Sequence, residues 1–339
     1  MTFLDTLLSM LSSELMQRAL LIAGLVGVSA PVIGTYLVQR RLALLGDGIG
    51  HVALTGVAMG WLAGAAAGTA SADALAVPGA VAAAIIGALL IEFVRDRGRT
   101  SADVALAMLF YGGIAGGVLL IGLAGGTAAN LTGYLFGSIS TVDSLDVWLS
   151  AGLAVFILGV GLGLRPALFA LCYDEEFARA SGLPVRALNI LVAVTAALTV
   201  AISMRVVGVL LVSALMIVPV AVAQLIAPSF RATMGVAMVL GGIVCVVGLS
   251  ITYFHALSPG ATITVLAITL YAGVAVIRPL LHRRRHLRRP DPQHLQHPSR
   301  VGAVRGYPAD TRADGHARVA SASRGARSDA PRRNTSRSA

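Results

Sequence analysis

Charged residues are scarce in this sequence. They make up 12% of its 339 residues, whereas about a quarter of the residues in ordinary soluble domains are charged. Hydrophobic residues make up 56%, which is more apolar surface than a soluble core could bury, so much of the chain must lie in a lipid bilayer. Aromatic residues are also few, at 5%, whereas glycine is abundant, at 38 residues. This balance is typical of closely packed transmembrane helices, because small residues let helix backbones approach each other.

Motifs for covalent chemistry are missing as well. The two cysteines, Cys172 and Cys245, lie far apart, which predicts neither a disulfide framework nor a zinc–thiolate site. The chain has no Walker A glycine loop, no H-E-x-x-H motif and no apparent Ser-His-Asp arrangement. We therefore predict that the chain is not an enzyme, that it binds no permanent cofactor, and that any ATP it depends on is hydrolysed by another chain.

The N-terminus lacks the features of a cleavable signal peptide. It contains Asp5 and Glu14 but no basic segment, and no A-x-A cleavage site follows the first apolar run. We therefore expect the first apolar run to be retained as a membrane span.

The net charge of +10 is confined to the C-terminal part of the chain. Residues 282–339 contain fourteen arginines and four aspartates, whereas the preceding residues carry equal numbers of positive and negative charges. This last segment is rich in Arg, Pro and Ser and has no apolar periodicity, which predicts disorder. We therefore divide the chain into a transmembrane domain, 1–281, and a disordered cytoplasmic tail, 282–339. We expect no nucleic-acid partner for the basic tail.

Apolar runs long enough to span a bilayer recur along the first domain. The two runs that meet at Met204-Arg205 are divided by these residues alone, so eight and nine spans both fit. The segment 126–142 is too polar and too short to span. The predicted fold class is all-α, a polytopic membrane protein with eight to nine transmembrane helices. The runs fall at residues 17–38, 47–68, 77–94, 103–124, 145–164, 188–204, 207–226, 232–254 and 260–278.

The arginines indicate how the spans are oriented, because cytoplasmic ends carry an excess of basic residues. With nine spans, this rule places the N-terminus outside and the C-terminus in the cytoplasm. Arg205 is the exception, since it falls at an outer turn. The cytoplasmic ends are marked by Arg40, Arg41, Arg95, Arg97, Arg99, Arg165, Arg179, Arg186, Arg231 and Arg278.

Two ionisable residues, Asp47 and His51, open the second span. Such groups cost about 2.5–3.5 kcal/mol each inside a bilayer, which makes them candidates for function. Their i, i+4 spacing places both side chains on one face of a helix, and a carboxylate with an imidazole suits zinc, manganese or iron. Two ligands are too few to trap an ion, so the pair fits a transport path. Alternatively, Asp47 caps the helix and His51 makes an interhelical hydrogen bond.

A charged cytoplasmic segment, residues 173–186, follows the fifth span. Its pattern predicts a short amphipathic helix, because glycine permits the conformation that ends a helix and Pro184 prevents continuation. Such a helix could lie in a groove of a cytoplasmic partner; the alternative is a plain connecting loop. The residues we assign to this contact are Glu175, Glu176, Arg179 and Gly182.

His255 lies in the outer turn before the last span. The sequence favours an ordinary loop histidine there, and the alternative is a role at the place where a metal enters.

Four segments together resemble the permeases of the zinc, manganese and iron class of ABC importers, and the resemblance is somewhat greater to the zinc permeases. The resemblance covers about residues 20–277. The segments are Arg40-Arg41 followed by Gly46-Asp47 and His51, then Tyr134-Leu135-Phe136-Gly137, then residues 175–182, and finally the run 206–219.

This resemblance implies a dimeric permease core that works with cytoplasmic ATP-binding subunits and an extracytoplasmic metal-binding protein. It implies that Asp47 and His51 are ligands on the path of zinc, or of a similar divalent metal, and that residues 175–182 contact the ATPase. Members of the family often have an acidic residue before a Pro-Ser-Gly turn ahead of the last span. Here His255 occupies that region and no carboxylate is present, which departs from the family pattern, and His255 could take the place of the acidic residue.

Three alternatives to a zinc permease fit the sequence. The first is a manganese or iron permease of the same class. The second is a secondary, ion-coupled metal transporter, which would need more acidic residues inside its spans. The third is a membrane scaffold that transports nothing.

Overall fold

We describe a computed structural model of the chain, which defines residues 9–68, 72–97, 101–125, 128–138, 142–255 and 257–286. Within these ranges the secondary structure is helical, and no β-strand occurs. Nine of the helices are long and apolar enough to cross a membrane. The prediction of an all-α polytopic membrane protein is therefore confirmed.

The helices are numbered in chain order. Nine of them are candidate spans, and α5, α7 and α8 are short. Their bounds are α1 Glu14–Gln39, α2 Leu45–Ala66, α3 Ala76–Arg97, α4 Ala102–Leu123, α5 Ala128–Phe136, α6 Ser144–Gly163, α7 Arg165–Tyr173, α8 Glu175–Ala180, α9 Val185–Ser203, α10 Val209–Ile226, α11 Phe230–Phe254 and α12 Pro259–His286.

The sequence explains where several helices begin. Ser101 precedes α4, and its hydroxyl accepts a hydrogen bond from the Val104 backbone amide. Ser229 does the same for α11 through Ala232. Each hydroxyl satisfies one of the backbone amides that a helix start leaves unpaired.

The protein core is centred on α1. This helix packs against α6, α10 and α11, while α2 packs against α3 and α4. In α1, 72% of the apolar stretch is buried inside the protein, compared with 22% in α4 and 17% in α12. The outward faces of α4 and α12 are therefore left to lipid or to another chain.

Two uncertain boundaries are resolved. The runs that meet at Met204-Arg205 form separate helices, α9 and α10, which gives nine spans in the described part of the chain. Within the polar stretch 126–142, the described residues 128–138 and 142 contain a single helix, the short α5. At the other end, α12 continues to His286, past the boundary predicted for the tail, and residues 287–339 lie outside the described ranges.

Candidate functional site

Asp47 and His51 lie in the first two turns of α2, which begins at Leu45. The His51 backbone packs directly against Gly113, near the middle of the 22-residue helix α4. This contact places His51, in the second turn of α2, beside the middle of α4. Its side chain is 7% exposed and that of Asp47 is 23% exposed.

The two side chains face each other. His51 Nε2 lies 3.9 Å from Asp47 Oδ1. An ion bound tetrahedrally to both atoms, with bonds of about 2.1 Å, would hold them roughly 3.4 Å apart. A small side-chain rotation would therefore bring the pair to bridging distance, so the i, i+4 spacing does place both ligands on one face.

The His51 ring is held by α4. The Phe110 ring meets it edge to face, with centroids 4.6 Å apart. Thr55, one turn further along α2, donates a 2.8 Å hydrogen bond to the Gly113 carbonyl and thereby ties the two helices together. The buried Nδ1 atom of His51 has no hydrogen-bond partner. A buried imidazole nitrogen without a partner is unusual, because burial of an unsatisfied polar group is costly.

Asp47 lies beside a second polar group and an open cleft. The Ser213 hydroxyl of α10 faces its carboxylate but is not in hydrogen-bond geometry with any group. The cleft has a volume of about 310 Å³ and lies between the first turns of α2 and α4. Its lining residues are Leu44, Asp47, Asp103, Leu106, Ala107, Phe110 and Tyr111.

Among the described residues, no group of three His, Cys, Asp or Glu side chains could hold a metal ion. His255 follows the last residue of α11 as an exposed residue, and the structure does not bring it together with Asp47 and His51 into such a group.

The charged segment 173–186, which the sequence predicts to be cytoplasmic, contains a short helix, α8. Asp174 begins it by accepting a hydrogen bond from the Phe177 backbone amide. It ends before Gly182, whose φ of +80° is a conformation that glycine adopts readily. Phe177 is 65% exposed, and Tyr173 at the end of α7 is 85% exposed. These aromatic side chains give the segment an apolar outer surface next to Glu175, Glu176 and Arg179.

Three features near these sites were not predicted from the sequence. Helix α7 lies between the predicted span 145–164 and the charged segment 173–186, where the sequence analysis assigned no element. Ser213 lies in an apolar run that gave no reason to single it out. Arg40 was treated as a marker of orientation, yet its side chain is only 6% exposed and lies 3.3 Å from Glu175 Oε2. Burial lowers the pKa of Arg40, and the neighbouring Arg95 lowers it further.

Comparisons with known proteins identify the family of the chain. The ABC 3 transport family matches residues 12–278. The chain is 32% identical to the manganese transport system membrane protein MntC of Halalkalibacterium halodurans, over 78% of this chain and 87% of that protein. It is 30% identical to a probable iron transport system membrane protein of Haemophilus influenzae, over 79% and 95% of the two chains.

A solved structure shows the same fold. The structure of PsaBC from Streptococcus pneumoniae in complex with Fab matches with a TM-score of 0.70 and 27% identity, over 80% of this chain and 95% of that one. The chain is therefore a multi-pass bacterial membrane protein that belongs to the ABC 3 transport family, as the permease of a metal ABC importer.

Proposed function

We propose that this chain moves a divalent first-row metal ion into the cytoplasm and that Asp47 and His51 are transient ligands on its path. The observation that supports this proposal is the pair itself: a carboxylate and an imidazole 3.9 Å apart, in the first two turns of a candidate membrane span. Ionisable groups in spans are functional candidates by default. The partnerless Nδ1 of His51 adds to the argument, because a ring held only by packing can rotate to meet an ion.

The weakness of the site fits transport. An ion that passes through must be bound well enough to leave its hydration shell and weakly enough to be released. Two protein ligands, with the Ser213 hydroxyl beside them, leave several coordination positions to water. A site of three or four protein ligands would hold zinc far more tightly.

We further propose the partners that such an importer needs. A cytoplasmic ATP-binding subunit would dock on α8 through Glu175, Glu176, Arg179 and the Gly182 end, next to the exposed Phe177. An extracytoplasmic metal-binding protein would deliver the ion outside, where His255 could be an early contact. ATP binding and hydrolysis would then shift the permease between outward-open and inward-open states.

A second copy of the chain would complete the path. The Asp47 cleft opens beside α4, where Met108 is 68% exposed and Tyr111 is 69% exposed. A second copy packed on this face would enclose the cleft, and we therefore propose a homodimer across α4. The family membership removes the need for an ion-coupled secondary mechanism, because the energy comes from a separate ATPase subunit.

Manganese and zinc are the two leading candidate ions, and iron is a third, since one relative is named as a probable iron transport protein. The names of the relatives favour manganese, whereas the sequence resemblance favoured zinc. The ligand pair does not discriminate strongly, since an imidazole nitrogen and a carboxylate oxygen bind both ions. Competition between the two ions for uptake would decide which one is carried at cellular concentrations.

The test is metal uptake by cells that lack their own importers and express this chain with its ATPase and metal-binding protein. Uptake of ⁵⁴Mn²⁺ and ⁶⁵Zn²⁺ is measured for the unaltered chain, for Asp47→Ala and for His51→Ala. We expect each substitution to lower uptake at least tenfold. A Ser258→Ala variant, in the outer turn, is the control and should retain uptake. Normal uptake by both site variants at normal membrane levels would refute the assignment.

A further inference from the structure

A buried arginine joins the cytoplasmic helix α8 to the turn that leads into α2. Arg40 follows the last residue of α1, and five positions further on α2 begins with the turn that contains Asp47. The Arg40 side chain is 6% exposed, and its Nη2 atom lies 3.3 Å from Glu175 Oε2. Glu175 also pairs with Arg179 at 3.3 Å, on the exposed side of α8. Glu175 therefore lies between the outer surface of α8 and a buried charge.

The turn around Arg40 is tightly constrained. The backbone amide of Arg40 donates to the Tyr36 carbonyl, and that of Leu42 donates to the Leu37 carbonyl at 2.8 Å. Arg41 has a φ of +59° and is the only residue other than glycine with a positive φ in the described ranges. Non-glycine residues hold this conformation only where surrounding contacts enforce it. A displacement of Arg40 would therefore move the start of α2 with it.

The surrounding helices fix the other side of the turn. The Cys172 thiol of α7 donates to the Tyr36 carbonyl at 3.7 Å. Glu92 and Arg95 form an ion pair at the end of α3, with atoms 2.8 Å apart. Both lie near Arg40, where Arg95 lowers the pKa of the guanidinium and Glu92 raises it. Arg40 thus lies where the ends of α1 and α3 meet α7 and α8.

We propose that the Arg40–Glu175 ion pair is the mechanical link that transmits movement of α8 to the metal-bearing start of α2. Arg40 is a positioning residue, because it contacts neither the transported ion nor the exposed surface of α8. When α8 moves with the ATPase, Glu175 displaces Arg40, and the constrained turn carries this displacement into the first two turns of α2. Asp47 then shifts relative to Ser213 of α10, which changes the environment of the ion.

This link has a signature that a purely structural ion pair would not have. Loss of a structural pair destabilises the permease, so ATP hydrolysis and transport decline together. Loss of a transmission link leaves hydrolysis in place and lowers the number of ions moved per ATP. The ratio of transport to hydrolysis is therefore the decisive quantity.

The inference rests on the proposed function, so its test uses the whole complex. The permease, its ATPase subunit and its metal-binding protein are reconstituted in lipid vesicles. Entry of Mn²⁺ is followed with a trapped fluorescent indicator, and phosphate release is measured in the same sample. The variants are Arg40→Gln, which removes the charge, and Arg40→Lys, which keeps a charge but loses the reach and planar geometry of the guanidinium. Arg41→Gln is the matched control, because it makes the same change at the adjacent, exposed residue.

We expect Arg40→Gln to lower the ratio of Mn²⁺ moved to ATP hydrolysed at least fivefold, with hydrolysis within about twofold of the unaltered complex. Arg40→Lys should give a smaller decrease, and Arg41→Gln should leave the ratio unchanged. If Arg40→Gln does not assemble, Arg40→Lys decides by the same ratio. An unchanged ratio in the Arg40 variants, or an equal decrease in Arg41→Gln, would overturn the inference. Failure of the unaltered complex to move either Mn²⁺ or Zn²⁺ would instead contradict the proposed function.

Discussion

The close contact between Gly113 and His51 predicts that α4 positions the Asp47–His51 pair. A Cβ atom placed on Gly113 would lie 2.7 Å from the His51 carbonyl carbon and 3.0 Å from the His51 Cβ. Two of its three nearest atoms belong to the backbone of α2 and cannot rotate away. Gly113→Ala must therefore push α2 and α4 apart.

The size of this effect follows from the distances. Ordinary van der Waals contact begins at 3.4 Å, so the helices must separate by about 0.7 Å. Overpacking of this kind costs about 1–3 kcal/mol. The separation also acts on the hydrogen bond from Thr55 to the Gly113 carbonyl and on the ring contact of Phe110 with His51. We therefore expect Gly113→Ala to lower the free energy of unfolding by about 1–3 kcal/mol and to reduce transport by displacing His51 from Asp47.

The neighbouring residue provides a matched control. A Cβ on Gly112 would meet nothing within 4 Å in the same chain, so Gly112→Ala adds the same atom to the same helix without pressing on α2. Metal uptake in vesicles and the thermal unfolding midpoint in detergent are measured for both variants. Gly113→Ala should lower both quantities, whereas Gly112→Ala should change neither. If the two variants behave alike, α4 does not hold His51 in the way the structure indicates.

Two further predictions concern residues other than Asp47 and His51. Burial raises the pKa of the Cys172 thiol to about 11, so the fraction of reactive thiolate is small at pH 8 and rises only as the pH approaches 11. In a Cys245→Ser background, maleimide labelling of Cys172 at pH 8 should therefore be at least tenfold slower than labelling of an exposed cysteine. Rapid labelling would contradict this prediction. Arg205 lies 3.7 Å from Asp146 and 4.0 Å from Asp143 at the outer turn, so Arg205→Gln should cost about 1–2 kcal/mol of stability, seen as a lower unfolding midpoint. Arg18→Gln, whose partner Glu14 is exposed, should leave the midpoint unchanged, and equal midpoints for the two variants would refute the role of Arg205.

The sequence predicted the features that depend on local periodicity. The apolar runs became nine spans, and the division at Met204-Arg205 produced two helices, α9 and α10. The helix before Gly182 could be predicted because its ends are set by neighbouring residues. Asp174 caps its start, and Gly182 takes a positive φ after its end. The i, i+4 spacing was enough to place Asp47 and His51 on one face.

Contacts between distant segments could not be predicted in the same way. Arg40 and Glu175 are 135 positions apart, and nothing in either segment indicates the other. Ser213 faces Asp47 only because α10 crosses the start of α2. Helix α7 was missed because the sequence continues from α6 with one break at Leu164, followed by a proline at the start of the new helix. The ion carried is also beyond the sequence, since the same two ligand types bind manganese and zinc.

The most direct test of the transport path is metal movement by the purified complex with and without the two proposed ligands, Asp47 and His51. The permease, ATPase and metal-binding protein are reconstituted in vesicles, and ATP-dependent Mn²⁺ entry is compared for the unaltered chain and for a variant with both Asp47→Ala and His51→Ala. The account predicts ATP-dependent Mn²⁺ entry in the first case and its loss in the second. Undiminished entry through the double variant, at equal amounts of assembled complex, would show that the ion takes another path.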